Sequence, residues 1–110
     1  MLLPGAHQAR VDQKKVIEYL LNREHPDGQS KAEFFQRFGF RSESWQVLAE
    51  ALRNHAVEHA VSKTVESAYG TRYLVEGPLP TPDGRRPNVR TVWVVEKGTS
   101  IPRLVTAYRL

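Results

Sequence analysis

The chain has 110 residues, 40% hydrophobic and 25% charged, with 16 Lys+Arg against 12 Asp+Glu and no cysteine. That size sets a single domain over residues 1–110 with one modest core. The composition excludes a disordered chain, and the missing thiols exclude disulfides and thiolate metal sites. The formal net charge of +4 suits an anionic partner, and equally a mildly basic solvated surface. The opening "MLLPGAHQAR" has no positive stretch followed by an apolar one, so no secretory signal is expected. No apolar run approaches the roughly 18 residues of a membrane span, so the expectation is a cytoplasmic protein without membrane association.

The chain divides into a helical front, about 12–56, and a strand-rich back, about 57–110, with no internal repeat or low-complexity tract. Asp12 is placed to cap a first helix, in which Val16, Ile17, Leu20 and Leu21 recur on one face. Pro26 and Gly28 end it. Ser30 followed by Glu33 reads as a capping box for a second helix, with Phe34, Phe35 and Phe38 as its apolar face and Gly39 as its stop. Ser42 or Ser44 starts a third, where Trp45, Leu48, Ala49, Leu52 and Ala56 form the clearest helical stripe.

Beyond residue 57 the period changes from helical to alternating. Val57, Val61 and Val65 suggest a first strand, "SAYG" turns the chain, and "TRYLVEG" is a second strand. The loop "PLPTPDGRRP" carries a Pro-Asp-Gly turn. "VRTVWVVE" is apolar toward its middle on both sides, which places it centrally, and "RLVTAY" closes the chain. Short loops favour an antiparallel meander. The expected fold is therefore α+β: about three N-terminal helices packed on one face of a four-stranded antiparallel sheet.

Side chains alternate across a strand, so parity assigns faces. With the last turn centred near Thr99, Val94 faces Leu104, Val92 faces Thr106 and Arg90 faces Tyr108. One face then carries Arg72, Glu76, Arg90, Thr106 and Tyr108 among aliphatics. The other carries Tyr73, Val75, Trp93, Val95, Val105 and Ala107 and meets the helices. A one-residue slip would exchange every neighbour. The first face reads either as a half-solvated sheet or as a phosphate-binding floor.

The candidate chemistry lies in two places. His25 and Lys31 flank the entrance to the second helix, where free N–H groups and the positive dipole end favour an anion and where Ser30, at the helix start, is a further candidate phosphate contact. His25 is of the residue type most used as a general acid or base. The alternative is a plain helix–helix turn. Arg90 and Arg72 can hold phosphate, and the Thr106 and Tyr108 hydroxyls can bind a phosphoryl oxygen or orient a nucleophile. His55 and His59, four apart, are spaced for a metal but lack an acidic neighbour, so they read as exposed histidines at a helix end. No metal or cofactor is expected.

"YLLNREHPDGQSKAEFF", "YGTRYLVEGPLPTPDGRRP", "VRTVWVVEKG" and "PRLVTAYRL" resemble a family of small bacterial proteins of uncharacterised function. Some members are labelled ADP-ribosyl-(dinitrogen reductase) hydrolase. The helices-then-meander order and the closing Thr-x-Tyr strand resemble, more distantly, the barnase–EndoU–colicin–RelE group of ribonuclease toxins. That resemblance implies a metal-independent ribonuclease, with His25, Lys31, Thr106 and Tyr108 catalytic and Arg90 as phosphate clamp. His55 is the candidate for a second histidine. It also implies RNA as substrate and a cognate antitoxin or immunity protein as partner. A non-catalytic binding module (an antitoxin, immunity or adaptor protein) and an RNA binder without cleavage stand as the alternatives, and a homodimer stands among the partners considered.

Overall fold

Four strands, β1 (Val61–Ser67), β2 (Gly70–Pro78), β3 (Asn88–Glu96) and β4 (Arg103–Arg109), pair antiparallel in sequence order. This is the expected meander, seen in a computed structural model that describes residues 1–110. Arg90 pairs with Tyr108 and with Glu76, and Val92 with Thr106, as parity requires. The register differs at one step. Between Val92 and Trp93 the β3–β4 ladder shifts, so Leu104 pairs with Trp93 and Arg103 with Val94. The extra residue is a bulge, which moves Leu104 from the open face to the covered one. Leu104 is accordingly buried, while Val105 is only half-buried.

The helical front departs further from the sequence pattern. The first helix, α1 (Gln13–Lys15), continues directly as a π-helical stretch (Val16–Leu20), closed by Leu21 N–H donating to the Val16 carbonyl at 2.8 Å. Asp12 stands at its start without a side-chain cap. The second helix, α2 (Gln29–Arg37), begins after Gly28, and Ser30 caps nothing: it is exposed and already inside the first turn. A short 3-10 turn, Ser42–Ser44, leads into α3 (Trp45–Glu58). Leu48, Ala49, Leu52, His55 and Ala56 are its buried side.

The core forms where α3 and the N-terminal segment meet the covered face of the sheet. Trp93, Val75, Val89, Leu104 and Ala107 come from the strands, and Leu48 and Leu52 from α3. Residues 3–11, without any regular period in the sequence, contribute Leu3, Ala6, Ala9 and Val11. The segment is held to the start of β4 by Arg10 N–H to the Pro102 carbonyl (2.8 Å) and Leu104 N–H to the Arg10 carbonyl (2.9 Å).

His55 is 1% exposed, against the expectation of an exposed histidine. Its Nδ1 lies 3.0 Å from Thr91 Oγ1, and its Nε2 lies 3.0 Å from the Gly77 carbonyl and 3.1 Å from that of Val89. Two carbonyls can only accept, so Nε2 carries the proton. Nδ1 then accepts from the Thr91 hydroxyl, whose oxygen receives Trp93 Nε1–H at 2.9 Å. The ring is neutral, and burial pushes its pKa below the ordinary histidine value. No buried side-chain polar atom in the protein lacks a partner.

These facts set a pH dependence. The unfolded chain takes up a proton at His55 near pH 6.5 while the folded one resists, so stability is complete above that value and lost as pH falls below it. Thermal unfolding should show a melting temperature that declines from pH 7 toward pH 5. His55→Ala should lower stability by about 3 kcal/mol at pH 7.5, from three lost hydrogen bonds and a cavity, and should flatten the decline. A variant as steep as the parent would place the acid sensitivity elsewhere.

Candidate functional site

The turn between the first two helices is organised by His25. Its Nδ1 accepts the backbone N–H groups of Asp27 (3.0 Å) and Gly28 (3.1 Å), and its carbonyl accepts those of Gly28 (3.1 Å) and Gln29 (3.0 Å). The imidazole thus organises the turn that leads into α2, while the helix itself has no side-chain cap. With Nδ1 engaged as an acceptor, the ring proton resides on Nε2, which has no partner within the protein. Gly28 is buried because the Tyr19 carbonyl lies where a Cβ would stand.

Tyr19 is the residue that gathers the rest. The π-helical stretch carries it out of the α1 repeat, and its hydroxyl lies 2.9 Å from Thr106 Oγ1. The edge of its ring meets His25, with centroids 5.0 Å apart at 72°. Lys15 Nζ and Lys31 Nζ stand 5.1 and 5.5 Å from the ring centroid. Lys31 Nζ also donates to the Asp27 carbonyl at 2.9 Å. Thr106 belongs to the sheet face turned away from α3, so Tyr19 joins the helix–helix turn to that face. A cleft of about 340 Å³ opens here, lined by Asp12, Lys14, Lys15, Glu18, Tyr19 and His25.

A second group lies two residues along β4. Arg90 Nε donates to Glu76 Oε2 at 2.8 Å, and Arg90 Nη1 donates to the Tyr108 hydroxyl at 3.1 Å. The Tyr108 hydroxyl, then the Glu76 carboxylate, hold the guanidinium pKa above its ordinary range. Arg72 is on the same face, exposed, and paired with no carboxylate. Of the predicted residues, His25, Lys31 and Thr106 are thus joined through Tyr19. Tyr108 and Arg90 form their own pair, and His25 hydrogen-bonds to neither Thr106 nor Tyr108. Ser30 makes no hydrogen bond with its side chain. His55, the candidate second histidine, lies under the sheet's covered face and belongs to the core.

A larger groove of about 590 Å³ runs along α3, past Val47, Glu50, Arg53 and Pro80, and of the candidate residues only His55 borders it. No cluster of three His, Asp or Glu side chains is spaced to hold a metal. No helix is long and apolar enough to cross a membrane.

Residues 2–110 match the sequence profile described as "Domain of unknown function (DUF6883)". The chain belongs to the DUF6883 family. No curated protein matches the sequence. In fold, this DUF6883 domain is similar to a chain of a contact-dependent growth inhibition toxin–immunity protein complex from Klebsiella pneumoniae 342. The TM-score is 0.74 at 20% identity, over 96% of each chain. Neither the hydrolase label nor the barnase–EndoU–colicin–RelE grouping finds support in these matches.

The Gly28–Tyr19 contact carries a direct test. Gly28→Ala should push the two segments of this DUF6883 domain apart and lower stability by about 1–3 kcal/mol. It should also change the chemical shifts of Tyr19 and His25 while leaving those of Arg90 and Tyr108 in place. Uniform changes over both groups would mean that the two clusters are not structurally separate.

Proposed function

We propose that this DUF6883 domain is a toxin-type ribonuclease that cleaves RNA through attack by the substrate's own 2′-hydroxyl, with no step that calls for a metal. The observation that carries this reading is the convergence, through Tyr19, of His25 and Lys31 from the front of the chain with Thr106 from its last strand. The similar fold of a chain in a toxin–immunity protein complex supports a toxin or immunity-type role and a protein partner.

The roles follow from the hydrogen bonds. His25 has its Nδ1 lone pair occupied by two backbone N–H groups, so its free Nε2–H serves as a donor to a phosphoryl oxygen as the pentacoordinate phosphorus forms. Lys31, and the neighbouring Lys15, supply positive charge at the same place. Arg90, fixed by Glu76 and Tyr108, and the unpaired Arg72 hold phosphates farther along the strand, on the open face. The Thr106 hydroxyl orients Tyr19.

A second reading, a non-catalytic binding module of the antitoxin, immunity or adaptor kind, is favoured by one feature: the Arg90 charge is already matched by Glu76 at 2.6 Å and is less free to hold a phosphate. Labelled RNA incubated with the protein in EDTA separates the two. The expected result is cleavage by the parent chain, a loss of roughly 10²–10³-fold in rate for His25→Ala, and a smaller loss for Tyr108→Phe. Salt-sensitive RNA binding with intact RNA would establish the non-catalytic binder. No binding and no cleavage would leave a protein-binding module.

A further inference from the structure

We propose that Tyr19, rather than Tyr108, is the phenol that protonates the leaving oxygen, and that the cleft beside it is where the scissile phosphodiester sits. This inference rests on the ribonuclease reading above. Tyr108 has a hydroxyl that receives Arg90 Nη1–H, and Arg90 is clamped in turn by Glu76. That group contacts neither His25 nor Lys31. Tyr19 meets both, with its ring edge on His25 and the Lys31 ammonium at 5.5 Å, and Lys15 stands at 5.1 Å. Its hydroxyl has one protein partner, the Thr106 hydroxyl, which can donate or accept in turn. Lys15 and Lys31 place positive charge over the face of the Tyr19 ring.

The cleft is of a size to take a nucleotide-scale group, and its lining is mixed: Lys14 and Lys15 against Asp12 and Glu18. Asp12 is already paired with Arg10 at 3.3 Å. His25 lines the cleft as well, and Lys31 stands over the Tyr19 ring.

The 2′-hydroxyl loses its proton to a solvent water in the open cleft, and O2′ forms a bond to phosphorus. The P–O5′ bond breaks with its electron pair passing to O5′, which takes the proton from Tyr19 Oη. The products are a 2′,3′-cyclic phosphate and a 5′-hydroxyl. The phenolate recovers a proton from solvent by way of the Thr106 hydroxyl.

The test uses two substrates of one sequence: ordinary RNA, and RNA whose scissile 5′-oxygen is replaced by sulfur, a leaving group that needs no protonation. Tyr19→Phe should cut kcat on ordinary RNA by roughly 10²–10⁴-fold with little change in KM. On the sulfur substrate it should stay within about fivefold of the parent, since loss of the acid no longer matters. Affinity for a 2′-O-methyl RNA, which binds but cannot react, should be unchanged. Tyr108→Phe should show a modest loss on both substrates alike. Equal losses for Tyr19→Phe on both substrates, or ordinary RNA cleaved at the parent rate, would overturn the assignment while leaving the ribonuclease reading intact. Failure of the parent chain to cleave any RNA would overturn both.

Discussion

A neutral histidine sealed between α3 and the sheet ties the two halves of the domain together. His55 spans from its helix to Thr91 and to the carbonyls of Gly77 and Val89, and Thr91 in turn receives the Trp93 indole. Each member is a donor to the next, and the order admits only one tautomer. Because every polar atom in it is satisfied, the network costs little to bury and resists any sliding of α3 over β2 and β3. That fixes which face of the meander is covered. The other face, with Arg72, Arg90, Thr106 and Tyr108, is left turned outward, and the candidate site depends on it.

The site is assembled by a departure from regular helix. The π-helical stretch and the close approach of Gly28 to the Tyr19 backbone set the phenol between the helix–helix turn and β4, with Lys15 still over its ring. π-Turns are energetically poorer than α-turns and are found disproportionately at functional positions. Here the irregular turn brings a hydroxyl, two ammonium groups and an imidazole N–H to one place.

Much of the architecture was legible in the residues. The β3 alternation predicted both its central place and the pairing of Arg90 with Tyr108 and of Val92 with Thr106. The α3 stripe predicted its buried side. Leu104 was misplaced because a bulge adds one residue to a ladder without altering the alternation around it. His55 was misread because a histidine on an otherwise apolar stripe is interpretable only once its partners, 22 to 36 residues away, are known. The Ser30 cap failed because the helix starts one residue earlier, at Gln29, which puts Ser30 inside the first turn rather than at the capping position. Tyr19 carried no signal: it lies off the face marked by Val16, Ile17, Leu20 and Leu21.

The sequence by itself determined the class of fold, the order of elements and which side chains share each strand face, because hydrophobic periodicity and strand parity are local properties. It also singled out His25, Lys31, Thr106, Tyr108 and Arg90 as chemically apt. Only the tertiary structure decided how they group. His25 and Lys31 meet Thr106 through Tyr19, while Arg90 and Tyr108 close on Glu76. That division depends on a π-turn, a buried glycine and a hydroxyl pair bridging 87 positions of sequence, and contacts of that range leave no imprint on the local pattern.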